Sequence, residues 1–117
     1  MKLKRLACLA CVTALIASAA QAQIDILPVT FTCAGGVRLP VTYFNPVEGD
    51  GAAAMVVDGQ LIALRQVPSG SGIRYESVGG QGTYVLRSKG WDAMVSFAAA
   101  GAGGGDETDV LTGCTSR

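Results

Sequence analysis

Histidine is absent from this 117-residue chain. Its absence removes the commonest general base near neutral pH and the commonest metal ligand. Ser–His and Cys–His nucleophilic pairs go with it. Charge is scarce and balanced: nine basic and nine acidic residues cancel to a formal net charge of zero. No basic stripe is left to track a phosphate backbone, which excludes nucleic acid as a partner. Aromatics are few, with one Trp, three Tyr and three Phe, so a large apolar ligand pocket is hard to line. No internal repeat and no linker divides the chain, and its length suits one small domain.

What is present starts with an export pattern. Lys2, Lys4 and Arg5 precede an apolar run, Leu6–Ala20, that ends in Ala20-Gln21-Ala22. A basic start, an apolar stretch and an A-x-A-like site describe a secretory leader. The run has 15 residues, shorter than the roughly 20 that span a bilayer as a helix. Cleavage is expected before Gln23, leaving residues 23–117 as an exported domain with no membrane anchor. The leader carries three of the basic residues and no acid, so the mature net charge is −3.

Cys8 and Cys11 leave with the leader, and Cys33 and Cys114 remain. In an oxidising compartment an even pair reads as a disulfide. A catalytic Cys needs a base beside it, usually His, and none exists.

No stretch keeps a helical period, whereas several alternate like strands. Val29–Cys33 is β-rich, and Gly35-Gly36 marks a turn. Val37, Leu39, Val41 and Tyr43 share one face of the next run, with Pro40 suggesting an edge or a bulge. Asn45–Gly51 reads as a loop. Two apolar runs flank Asp58-Gly59, the signal of a hairpin whose type I′ turn needs positive φ at both central residues. Further strands are expected over Ile73–Val78, Thr83–Leu86, Trp91–Ala98 and Thr108–Cys114, with a Gly/Ala-rich loop at 99–105. Seven or eight short antiparallel strands describe a small barrel or sandwich.

Chemistry is thin. With the cysteines paired, only carboxylates could hold a metal. Asp106, Glu107 and Asp109 lack the ligand spacing of an EF-hand, and read as a solvated acidic loop. No metal, cofactor or catalytic residue is assigned. Two polar turns stand out: Ser69-Gly70-Ser71-Gly72 before Ile73-Arg74-Tyr75, and Arg87-Ser88-Lys89-Gly90. Small polar residues and Lys are ordinary in exposed turns, yet exposed turns are also where binding residues sit.

At these residues the chain resembles the membrane-bound and periplasmic C-type lysozyme inhibitors (MliC/PliC). The shared pattern is an aromatic-x-Cys start, here Phe31-Thr32-Cys33, then Ser71-Gly72-Ile73-Arg74-Tyr75, then Tyr84 to Lys89-Gly90, then the late Cys114. The likeness runs from about Val29 to Cys114. Two departures accompany it. Arg87 stands where the family has Trp, with Trp91 just past the turn, and no lipidation Cys sits at the cleavage site.

The resemblance implies an all-β fold, a small eight-stranded antiparallel barrel closed by Cys33–Cys114. It implies a periplasmic non-enzyme, acting against host defence, whose partner is C-type lysozyme, a basic protein. Ser71, Gly72, Tyr75, Lys89 and Gly90 would meet the lysozyme cleft, with Arg74 and Arg87 in support. Alternatives are a barrel binding a small apolar or glycan ligand in the cell envelope, a Ser–Lys hydrolase built on Ser71 and Lys89, and a wall-associated structural protein.

Overall fold

The computed structural model describes residues 23–101 and 106–117. The expected leader, and residues 102–105 of the expected Gly/Ala loop, lie outside the described residues. Eight strands run in chain order: β1 (Ile24–Thr32), β2 (Arg38–Pro46), β3 (Ala52–Val57), β4 (Gln60–Val67), β5 (Ile73–Ser77), β6 (Gly82–Lys89), β7 (Asp92–Ala99) and β8 (Glu107–Thr115). Each pairs antiparallel with its neighbour, and β1 meets β8 to close a barrel. Of the two architectures left open by strand spacing, the barrel is the one formed.

Alternation builds the interior. Leu39, Val41 and Tyr43 of β2 point inward, as do Ala53, Met55 and Val57 of β3. Leu39, Met55, Leu86 and Val95 are completely buried, so side chains pack the middle of the barrel. The Asp58-Gly59 hairpin forms as expected, with φ of 49° and 73° and Val57 facing Gln60. No helix among the described residues is long and apolar enough to cross a membrane.

Some boundaries differ from the sequence reading. Strand β1 begins at Ile24, five residues before Val29, because Ile24–Pro28 pair along β2 from Pro46 to Thr42. Asn45 and Pro46, expected in a loop, belong to that ladder. Val37 is exposed rather than inward; its carbonyl accepts from the Cys33 amide and closes the short 3-10 turn Ala34–Gly36. Pro40 is paired on one side only, with Thr30 of β1, which is the edge-like position expected of it. Strand β2 meets β3 only from Val41 onward, so the ladder on that side starts one residue past the missing donor.

The closure is narrow. One register pair, Thr32–Thr115, joins β1 to β8, and the Cys33–Cys114 disulfide lies one residue away on each strand. The bridge spans 81 residues of sequence, which the chain-entropy model values at about 4–5 kcal/mol. For a domain of this size that is a large share of the stability.

Candidate functional site

Loop β4–β5 and hairpin β6–β7 meet at one rim of the barrel. The first is ordered by the Ser69 hydroxyl, which donates to the Ser71 carbonyl at 2.8 Å. Its exit is Gly72, at φ +66°, where a Cβ would lie 2.6 Å from the Ser88 carbonyl oxygen and 3.2 Å from the Lys89 Cβ. Only glycine combines that backbone with that approach. The hairpin turns through Gly90 and Trp91 between the facing residues Lys89 and Asp92. Gly90 has φ +59° while Trp91 stays at negative φ, the demand of a type II′ turn for glycine at its first central position.

Those two glycines bring the expected pair together. The Lys89 ammonium donates to the Ser71 hydroxyl at 3.0 Å on an exposed surface. No carboxylate forms an ion pair with Lys89 among the described residues. Lys and Ser, 18 residues apart in sequence, thus present one cation and one hydroxyl side by side. The hydroxyl keeps its own proton to donate outward, and the ammonium keeps two more donors.

The other expected residues take different positions. Tyr75 is 1% exposed and lies beneath the rim, its ring tilted against Tyr43 at 5.6 Å between centroids. Burial raises its phenol above the ordinary value, and the neighbouring Tyr43 adds to that. Burial also raises Tyr43, opposed by the nearby Ser88 hydroxyl; its own hydroxyl has no partner in hydrogen-bonding geometry among the described residues. Arg74 and Arg87 face each other across β5 and β6 on the outside of the barrel, not at the rim.

That outer face holds a network absent from the sequence reading. Glu107 of β8 pairs with Arg87 at 3.0 Å and Arg74 at 3.5 Å, and Glu76 takes Arg74 at 3.1 Å. Beneath them Ser96, 1% exposed, donates to Glu107 at 2.9 Å and accepts from Arg87 at 3.1 Å. The Ser96 hydrogen bond does most to hold the Glu107 carboxyl below its ordinary range; burial opposes it, and Arg87 and then Arg74 add to the lowering. Glu107 is therefore committed to two arginines rather than loose in an acidic loop. No group of three or more metal-ligating side chains occurs among the described residues.

Two hollows lie near the Ser71–Lys89 pair, which itself lines the first; Ser88 borders both. One, of about 540 Å³, lies against Arg87, Asp92, Met94 and Thr112. The other, of about 620 Å³, opens at the barrel mouth among Leu27, Tyr43, Ile73, Tyr75 and Trp91. Trp91 escaped the sequence reading as a site residue, although a lone Trp directly after a turn glycine was a signal available there.

The family model described as membrane-bound lysozyme-inhibitor of c-type lysozyme matches residues 31–102. Among solved structures, the chain is similar to PliC-St, the periplasmic lysozyme inhibitor of C-type lysozyme from Salmonella typhimurium. The two are 27% identical with a TM-score of 0.67, over 80% of this chain and 99% of that one. No curated protein sequence matches the chain.

Proposed function

The chain belongs to the family of membrane-bound lysozyme inhibitors of c-type lysozyme, and on that premise we propose that it inhibits C-type lysozyme by inserting Ser71 and Lys89 into the catalytic cleft. The observation that carries this reading is the 3.0 Å contact between the Lys89 ammonium and the Ser71 hydroxyl on an exposed ridge. A lysozyme cleft sets two carboxyl groups close together, one in an apolar setting that keeps it protonated and one ionised. A Lys ammonium is a compact charge with three donors, suited to the ionised group. A Ser hydroxyl donates to or accepts from either protonation state. Desolvating both partners is costly unless they meet each other, so a prearranged pair is an advantage. Once seated, the ridge excludes glycan and offers no glycosidic bond to cut.

The exported form is residues 23–117, released by cleavage after Ala22 into the periplasm. Its net charge of −3 steers it toward a basic enzyme, most strongly at low salt. Mass spectrometry of the exported protein reads the cleavage point directly.

The same 3.0 Å contact is compatible with a Ser–Lys nucleophile. Activating a lysine as base takes a desolvating pocket or a neighbouring cation, and Lys89 is exposed. A serine-reactive covalent probe is expected to leave Ser71 unlabelled; labelling would favour the hydrolase.

The decisive test is lysozyme activity on a cell-wall suspension. The native oxidised protein should inhibit in proportion to dose. The Ser71→Ala/Lys89→Ala double variant should inhibit at least tenfold less, about 1.4 kcal/mol of binding. Inhibition unchanged in a folded double variant would move the site elsewhere. No inhibition by folded native protein would overturn the function.

A further inference from the structure

Trp91 is 56% exposed, Leu27 52% and Ile73 43%, and all three line the hollow at the barrel mouth. Tryptophan left in water at a hairpin tip forgoes a large burial term. This one is nevertheless held in place. Its carbonyl accepts from the Ser116 amide at 2.9 Å and the Ser116 hydroxyl at 3.3 Å, and the Arg117 guanidinium lies 5.9 Å from its ring. A tip clamped from behind loses little further freedom when a partner covers it.

Position connects it to the ridge. Trp91 is two residues from Lys89 on one hairpin, and Ile73 is two residues from Ser71. Ser88, next to Lys89, lines both this hollow and the one that Ser71 and Lys89 border, so the apolar patch adjoins the Ser71–Lys89 surface on its barrel-mouth side. On the β7–β8 side the pair lines a hollow with Asp92, Met94 and Thr112, where Arg87 is tied to Ser96 and Glu107 and no aromatic side chain stands. Interfaces concentrate their binding energy in a few rigid aromatic anchors ringed by smaller contacts.

We propose that Trp91, with Ile73 and Leu27 around it, is the apolar anchor of the inhibitor–lysozyme interface and docks on the apolar rim of the same glycan cleft that receives Lys89. This rests on the inhibitory reading above. The cation–hydroxyl pair then supplies orientation, and Trp91 supplies residence time. The bound enzyme is expected to lie over the barrel mouth rather than over β7 and β8.

The chain contains a single tryptophan, which makes its environment separable from every other residue. Full-length protein exported from cells fed 5-fluorotryptophan should show one fluorine resonance in its mature form. Adding C-type lysozyme should shift or broaden it. Trp91→Ala should weaken lysozyme binding at least tenfold, mostly through faster dissociation, while circular dichroism and melting stay near native. Trp91→Tyr should recover most of the loss, and Ile73→Ser should show a smaller one. Native protein that binds lysozyme with an unmoved resonance and an unaffected Trp91→Ala variant overturns the anchor and leaves the inhibitory reading standing. Folded native protein that fails to bind lysozyme overturns both.

Discussion

Strands β5 and β6 carry Arg74, Arg87 and Lys89, and the structure treats these cations in two ways. Arg74 and Arg87 face one another across the ladder, a like-charge pairing that costs stability by itself. Glu107 and Glu76 neutralise them, and the buried Ser96 pins the group from below. Lys89, two residues further along β6, receives only a neutral hydroxyl among the described residues. The difference is in what each charge has left to offer. A cation already surrounded by acids is part of the frame; a cation held in place by a neutral donor–acceptor still has its Coulomb interaction to give to a partner.

The severest way to break that contrast is to cut the frame both regions share. Reduction, or the Cys33→Ser/Cys114→Ser variant, should lower stability by about 2–5 kcal/mol, as loss of a native disulfide in a small exported domain does. The barrel has one register pair, Thr32–Thr115, to hold β1 to β8 without it. Thermal melting with and without reductant checks this, and an unchanged midpoint would mean that the seam closes by itself.

Gly72→Ala acts on the rim alone. The added methyl would meet the Ser88 carbonyl at 2.6 Å in a backbone region hostile to L residues. A cost of roughly 1–3 kcal/mol is expected for the backbone strain. Loop β4–β5 must move away from Lys89, so lysozyme inhibition should fall by more than the loss of folded protein accounts for. Comparing active fraction with folded fraction separates the two effects.

Glu107→Gln acts on the frame and spares the rim. It leaves Arg74 and Arg87 facing each other, and should lower stability by about 1 kcal/mol while inhibition per folded molecule is unchanged. The same group sets the smallest effect, a pH dependence. Its carboxyl is depressed in the fold, so its contribution is complete above the unfolded Glu value of about 4.3 and is lost as pH falls through the lower folded value. Between pH 5 and 3, on the order of the span that brackets such a shift, native protein should lose more stability than Glu107→Gln. Equal losses would place the acid sensitivity in another carboxylate.

Much of this was legible in the chain. Alternation at Leu39, Val41 and Tyr43, and the Asp58-Gly59 turn, report strands directly because side-chain direction has period two and φ > 0 has few tenants. Two cysteines in a chain read as exported implied their bridge, and the structure forms it. Ile24–Pro28 stayed hidden because a strand containing Pro28 and Asp25 is held by its partner β2, not by its own propensity. The roles of Arg74 and Arg87 stayed hidden as well. Their acids come from β5 itself and from β8, and Glu107 is 33 residues from Arg74 in sequence.

The sequence by itself determined the compartment to expect, the class of secondary structure, the pairing of Cys33 with Cys114 and the two glycine-bearing turns that carry Ser71 and Lys89. These rest on local rules: an apolar leader, alternation, and backbone angles that glycine alone accepts readily. Tertiary structure decided the rest. Closure of β1 on β8 selected barrel over sandwich. Register across β5 and β6 placed the hydroxyl 3.0 Å from the ammonium, sent the two arginines to Glu107, and left Trp91 in water at the mouth. Each of those outcomes depends on distances between residues far apart in the chain, which only the closed sheet sets.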